Sequence, residues 1–204
     1  MPTSRLEAFS DGVLAIIITI MVLELKVPDK PDLSALWATT GTSLLTYLLS
    51  FVYVGIYWNN HHHMFQLVRQ IHGGVLWANL ALLFSLSLFP FTTAWVDETD
   101  FTATPVVIFG INLLVAAIAF FVLQGVIIRQ QGPDSILRRA VGRDFKGKVS
   151  PVLYLAGILS ALLIDRGGHV GAVIGEACYV VVAIMWIVPD RRIERVIRER
   201  EFPG

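Results

Sequence analysis

Carboxylates and imidazoles set inside apolar segments are the groups of this chain best placed to do chemistry. Asp11 stands with Arg5, Phe9 and Ser10 at the entrance of an apolar run of membrane length. Charges in such a place cost free energy in hydrocarbon and usually face a bundle interior or an aqueous path. Deeper in the run, Ile16, Ile20 and Leu23 fall at i, i+4 and i+7 on one narrow helical stripe, with Thr19 beside it. A polar entrance followed by a bulky apolar line suits a helix lining a narrow pore, and it suits ordinary helix packing too.

The histidines form a second cluster. Trp58, Asn59 and Asn60 lead into His61, His62 and His63 where a second apolar segment ends, and His72 follows. Consecutive residues point about 100° apart on a helix, so adjacent imidazoles chelate poorly and no metal is expected. Instead Asp11, at the same depth, is expected to pair with one of these imidazoles or with the Trp58 indole, while the other histidines face the membrane surface. An imidazole partner would confer pH sensitivity. Glu176 is another intramembrane carboxylate and so a functional candidate. Beside it, Gly167, Gly171 and Gly175 recur every four residues, a small-residue face for close helix packing. Glu176 therefore serves either function or a hydrogen bond to a partner helix. The single Cys178 excludes an intrachain disulfide and reads as a small apolar side chain.

The elements that must position these groups are membrane helices. The chain is 55% hydrophobic and 16% charged, with a mean hydropathy of +0.66, too apolar for a typical soluble domain. Six apolar segments can be read, at 9–25, 36–58, 74–95, 105–128, 149–164 and 169–188. Most approach the ~20 residues that cross a ~30 Å hydrocarbon core, the fifth being the shortest. Alternating apolar and polar segments of a membrane barrel are absent. The first segment contains Asp11 and is followed by Glu24, Lys26 and Pro28 rather than a cleavage site. It is expected to be a permanent span, not a signal peptide. The fold class is all-α and polytopic, with residues 1–190 as one six-helix membrane domain and 191–204 as a basic cytoplasmic tail.

With the N-terminus inside, the inner segments hold most of the basic residues, from Arg5 and Arg69 through Arg138, Arg139, Arg143, Lys146 and Lys148 to the tail. The outer segments hold only Lys26, Lys30 and Arg166. The positive-inside rule then places both termini in the cytoplasm. Gly132, Pro133, Asp134 and Ser135 read as a turn and helix cap, and the basic cluster after them can contact anionic lipid headgroups. Asn79, Ser85, Ser87 and Asn112 are expected to form interhelical hydrogen bonds. Pro90 is expected to kink the third span by removing a ladder donor. Nothing resembles nucleic-acid recognition, and no cofactor is expected.

Arg5-x-x-x-Phe9-Ser10-Asp11 at the start of a first span resembles the Arg-x-x-x-Phe-Ser-Asp signature of the transmembrane protein 175 family. The likeness runs on through Gly12-Val13-Leu14-Ala15-Ile16-Ile17-Ile18-Thr19 and the Trp58-Asn59-Asn60-His61-His62 region. The family comprises the lysosomal potassium channel and shorter prokaryotic relatives, and a six-span chain with one copy of the signature resembles the prokaryotic form. The resemblance implies a homotetrameric, potassium-selective channel in a prokaryotic cell membrane, with K+ as the permeating ion and no enzymatic activity. It implies first helices lining the pore, constriction by rings of Ile16, Ile20 and Leu23, and potassium preference at Thr19. Arg5, Phe9, Ser10 and Asp11 would form a structural or gating network with Trp58, His61, His62 and His63. No Thr-Val-Gly-Tyr-Gly segment is present, so a carbonyl-lined filter of the usual kind is excluded. The alternative is a proton-coupled secondary transporter using Asp11, Glu176 and the inner histidines.

Overall fold

Helices account for every regular element among the described residues, 3–68, 70–142, 144–164 and 169–187 of the computed structural model. The tail 191–204, Gly167, Arg69, Arg143 and Arg166 lie outside them. Helix α1 (Thr3–Met21) buries Leu6, Ser10, Leu14, Ile17 and Met21, one face at helical spacing, and ends in a 3-10 turn at Val22–Glu24. Helix α2 (Leu33–Gln66) starts on Asp32, whose Oδ1 accepts from Ala35 N at 2.8 Å and from the Ser34 hydroxyl at 2.5 Å. Those two bonds, the Ser34 hydroxyl first, hold the Asp32 carboxyl below its ordinary value. At 34 residues α2 is about 50 Å long, more than the hydrocarbon core requires.

The third span is broken. Helix α3 (Gly73–Ser87) stops at Leu88 and α4 (Phe89–Glu98) resumes with Pro90 in its first turn. Proline lacks the donor that would have continued α3, which is the expected kink carried through to a break. Helix α5 (Ala103–Gln131) ends at Gly132, whose φ of 78° lies in the left-handed region that glycine tolerates. A short helix, α6 (Ile136–Val141), follows the expected cap: Ser135 Oγ accepts from Arg138 N at 3.1 Å. Helix α7 (Phe145–Leu163) is capped by Asp144, and α8 (Val170–Ile187) closes the described chain.

Six helical stretches are long and apolar enough to cross a membrane: Thr3–Glu24, Leu33–Gln66, Gly73–Glu98, Ala103–Gln131, Phe145–Leu163 and Val170–Ile187. The chain is a polytopic all-α membrane protein. Two boundaries differ from the hydropathy reading. The second helix passes beyond residue 58 through the histidines, because neither Asn nor His breaks a helix. The fifth starts at Phe145 rather than 149, since Lys146 and Lys148 extend the helix that Asp144 caps.

Helix α1 packs on α2, α3 and α4, α3 packs on α5, and α5 leads to the close pair α7 and α8. Glycines set that pairing. The carbonyl oxygen of Gly157 lies 2.9 Å from where a Cβ on Gly175 would sit, and Gly157 O is fixed backbone. Gly175→Ala must therefore part the helices. It is expected to lower stability in a detergent thermal melt by about 1–3 kcal/mol, the usual cost of overpacking. Gly125, with nothing within 4 Å of its Cβ position, is the control: Gly125→Ala is expected to be neutral or stabilising. Equal melts for the two variants would show that the close approach is not needed.

Candidate functional site

Helix α1 presents two faces with different surroundings. On the buried face, Ser10 Oγ accepts from Asn79 Nδ2 of α3 at 2.9 Å. Asn79 Oδ1 in turn lies 2.8 Å from His61 Nε2 of α2. An amide oxygen only accepts, so His61 Nε2 carries the proton in this pair. Ser10, Asn79 and His61 are all buried, and one side-chain chain thus ties α1, α2 and α3 together inside apolar packing. His61 also lies against Phe65, ring centroids 4.5 Å apart.

Asp11 lies at the edge of this cluster and accepts from Trp58 Nε1 at 3.0 Å. The indole is stacked on His62, 6.1 Å between centroids and 16° between planes, and His62 Nε2 meets the Gln66 amide at 2.9 Å. Of the two partners expected for Asp11, an imidazole or the Trp58 indole, the structure gives it the indole and spends His61 on Asn79. The reason is helical register: with α2 unbroken to Gln66, residues 58 and 62 share a face and residue 61 turns inward. His63 is half-buried. Arg5 and Phe9 are exposed on α1, and Arg5 pairs with no acidic group among the described residues. Loss of the Asp11–Trp58 bond is expected to be modest because the pair is exposed. Asp11→Ala and Trp58→Phe in a double-mutant cycle should show a coupling of about 1 kcal/mol in thermal unfolding. Strictly additive losses would remove the bond from the anchor.

The opposite face of α1 is uncovered by the described residues. Ile16 is 58% exposed, Ile20 44% and Leu23 79%. Gly12 lies on the same side, with open space at its Cβ position. Thr19 is exposed beside this stripe, and its hydroxyl donates to the carbonyls of Ala15 and Ile16, each at 3.0 Å. With its proton spent on its own helix, the Thr19 oxygen offers lone pairs outward. That is the polarity a cation needs, in a stripe otherwise without ligands.

The remaining polar residues divide. Asn112 Nδ2 donates to Thr92 Oγ1 at 3.3 Å, and the Ser50 and Thr93 hydroxyls meet at 2.6 Å, both interhelical. Ser85 and Ser87, expected to bridge helices, bond their own helix at Ala81 O and Phe84 O instead. A serine hydroxyl reaches the carbonyl three or four residues back more easily than a neighbouring helix. Gly171 and Gly175 are buried. Glu176 beside them has a buried Oε1 with no hydrogen-bond partner. Cys178 is a half-buried free thiol. No group of three or more His, Cys, Asp or Glu among the described residues is placed to hold a metal ion. A buried tyrosine cluster went unread in the sequence: Tyr53 Oη donates to Tyr179 O at 2.5 Å, and Tyr179 packs edge-on to Phe109. The four-residue spacing of Tyr53 and Tyr57 was the available signal.

Comparison with known proteins places this arrangement. Residues 5–90, which hold the whole α1 anchor, match the family model described as endosomal/lysosomal potassium channel TMEM175. Potassium channel HX13_20290 of a Chryseobacterium species is 48% identical over 202 residues, 98% of this chain and all of that protein. Potassium channel B446_29190 of Streptomyces collinus is 38% identical over 99 residues, 47% of this chain and 48% of that one. In three dimensions the fold is similar to the crystal structure of a lysosomal potassium-selective channel TMEM175 homolog from Chamaesiphon minutus. That match has a TM-score of 0.73 and 28% identity, covering 92% of this chain and 97% of that chain. Six spans, the signature at the head of the first, and a 48% identical relative aligned along almost the whole chain agree: the chain belongs to the TMEM175 family.

Proposed function

We propose that this protein is a potassium channel subunit, assembling as a homotetramer in which four α1 helices line a central pore. The observation that carries this reading is the asymmetry of α1. One face is locked to α2 and α3 through Ser10, Asn79 and His61, and the other leaves Ile16, Ile20 and Leu23 uncovered within the chain. Rings of these side chains form a hydrophobic constriction, where an ion must shed hydration at a cost of many kcal/mol. Closure by dewetting follows, and a small rotation or spreading of the helices rewets the path. Exposed Arg5 and Phe9 at the head of α1 are placed to meet a neighbouring copy. Relatives named as potassium channels support K+ as the permeating ion. The bias of basic residues supports a cell-membrane protein with both termini in the cytoplasm, where anionic lipid meets the cluster around Arg138 and Arg139. Channels, not enzymes, are what the relatives are named.

A second reading, a proton-coupled transporter, draws on the unpartnered Glu176 oxygen. Against it, Asp11 and His61 are engaged with Trp58 and Asn79 rather than with each other. Flux decides between them. Purified protein in liposomes is expected to dissipate a K+ gradient with no counter-substrate present and with no fixed proton stoichiometry. Flux that requires a coupled proton makes the protein a carrier. Native mass measurement in nanodiscs is expected to give a tetramer.

Thr19 is the position proposed for selectivity. Thr19→Val keeps the shape and deletes the outward oxygen. The K+ over Na+ permeability ratio, read from reversal potentials in mixed solutions, is expected to fall by about tenfold, equivalent to about 1.4 kcal/mol of lost discrimination. An unchanged ratio assigns selectivity elsewhere.

A further inference from the structure

Apart from the Asp11 anchor, the chain holds a half-open cavity walled by α2, α5, α6, α7 and α8. Its lining includes the rings of Tyr57, Phe120, Phe121, Tyr154 and Trp186, and Asp144 is the one charged side chain among the described residues that line it. The walls are well held. Trp186 Nε1 donates to Ser150 Oγ at 2.8 Å, and Tyr57 stands edge-on to Phe120 at 6.0 Å. Asp144 Oδ1 accepts from Gly147 N at 3.0 Å, which fixes the carboxylate. Gly147 itself makes room: a Cβ there would lie 2.6 Å from the Phe121 ring and clash with the Asp144 carboxylate. The chain's own Lys146 ammonium already lies 5.8 Å from the Trp186 ring centroid, so this aromatic surface attracts a cation.

Aromatic faces carry negative potential, and several of them around one carboxylate form the recognition chemistry of an organic ammonium. A neutral amphiphile gains the rings but nothing from Asp144, and an anion is repelled by both. We infer that this cavity is a binding site for a small organic ammonium, its charge between Asp144 and the rings and its apolar body against Phe120 and Ile56. Helix α2 carries Tyr57 into the cavity and Trp58 onto Asp11, so an occupant braces the helix that anchors α1. Binding itself does not depend on what the protein conducts.

Trp186 reports directly on occupancy. The probe is 4-bromophenyltrimethylammonium, whose bromine quenches indole fluorescence, with 1-bromo-4-tert-butylbenzene as its neutral isostere. Detergent-purified protein is expected to show saturable quenching by the ammonium that disappears in Trp186→Phe. Asp144→Asn keeps an oxygen to cap α7 and removes the charge; it is expected to weaken the ammonium about tenfold and leave the neutral isostere unchanged. Ala117→Leu, which fills the cavity from α5, is expected to weaken both probes and serves if Trp186→Phe does not fold. Saturable quenching that persists in Trp186→Phe, equal affinity for the two probes, or unaltered binding in Asp144→Asn would each overturn the assignment.

Discussion

Ile16→Asn is expected to raise potassium flux through the reconstituted protein by about tenfold or more, since removing about 1.4 kcal/mol from a barrier is tenfold in rate. The expectation follows from where Ile16 stands. It is 58% exposed on the face of α1 that no other helix among the described residues covers. In the proposed tetramer that face surrounds the axis, and a ring of amides there holds water that a ring of isoleucines excludes. Ile16→Ala widens the same ring and is expected to raise flux while loosening cation selection. Ile17 provides the contrast within one residue. It is 4% exposed, part of the face that packs on the bundle, so Ile17→Asn buries an amide without a partner and is expected to reduce folded yield instead. Unchanged flux in both Ile16 variants, with normal assembly, would remove this position from the gate. Higher flux from the Ile17 variant would mean that the faces of α1 have been read in reverse.

How far these assignments were legible in the sequence depends on the length scale of the cause. Spans were legible because hydropathy is a local sum, and so was the break at Pro90, because a missing donor acts on its own helix. The cap at Ser135 belongs to the same class. Helix ends were less so: α2 runs through His61, His62 and His63 because solvation preference says where hydrocarbon ends, not where a helix ends. The cluster around Asp11 was legible as a set, since a charge at that depth needs a partner, and Trp58 was one of the candidates. Which residue pairs with which was not, because one turn of register on α2 decides whether residue 58 or 61 faces Asp11. Asn79 and Ser10 were readable as helix-bridging and network groups, but their union through His61 is a three-helix fact. The cavity beside Trp186 was illegible for the same reason, its walls coming from five helices between residues 53 and 186.

Asn79→Leu is expected to be among the most destabilising single substitutions in the protein. The leucine has the same branching and the same number of side-chain heavy atoms, so the main change is in polarity. Asn79 donates to Ser10 and accepts from His61, and all three are buried. Its removal leaves a hydroxyl oxygen and an imidazole N–H without partners. A buried group left unsatisfied costs about 1–3 kcal/mol, so the variant is expected to lose about 3 kcal/mol or more in a detergent thermal melt. Replacing all the partners at once separates this account from simple loss of packing. The triple variant Ser10→Ala, His61→Phe, Asn79→Leu orphans nothing, and apolar replacement of a whole hydrogen-bonded set can be nearly neutral. It is expected to melt above Asn79→Leu alone. A lower melt for the triple variant would mean that shape, not hydrogen bonding, holds α1 to α2 and α3. If the stability returns while potassium flux does not, the buried network is kept for positioning α1 at the pore rather than for holding the fold.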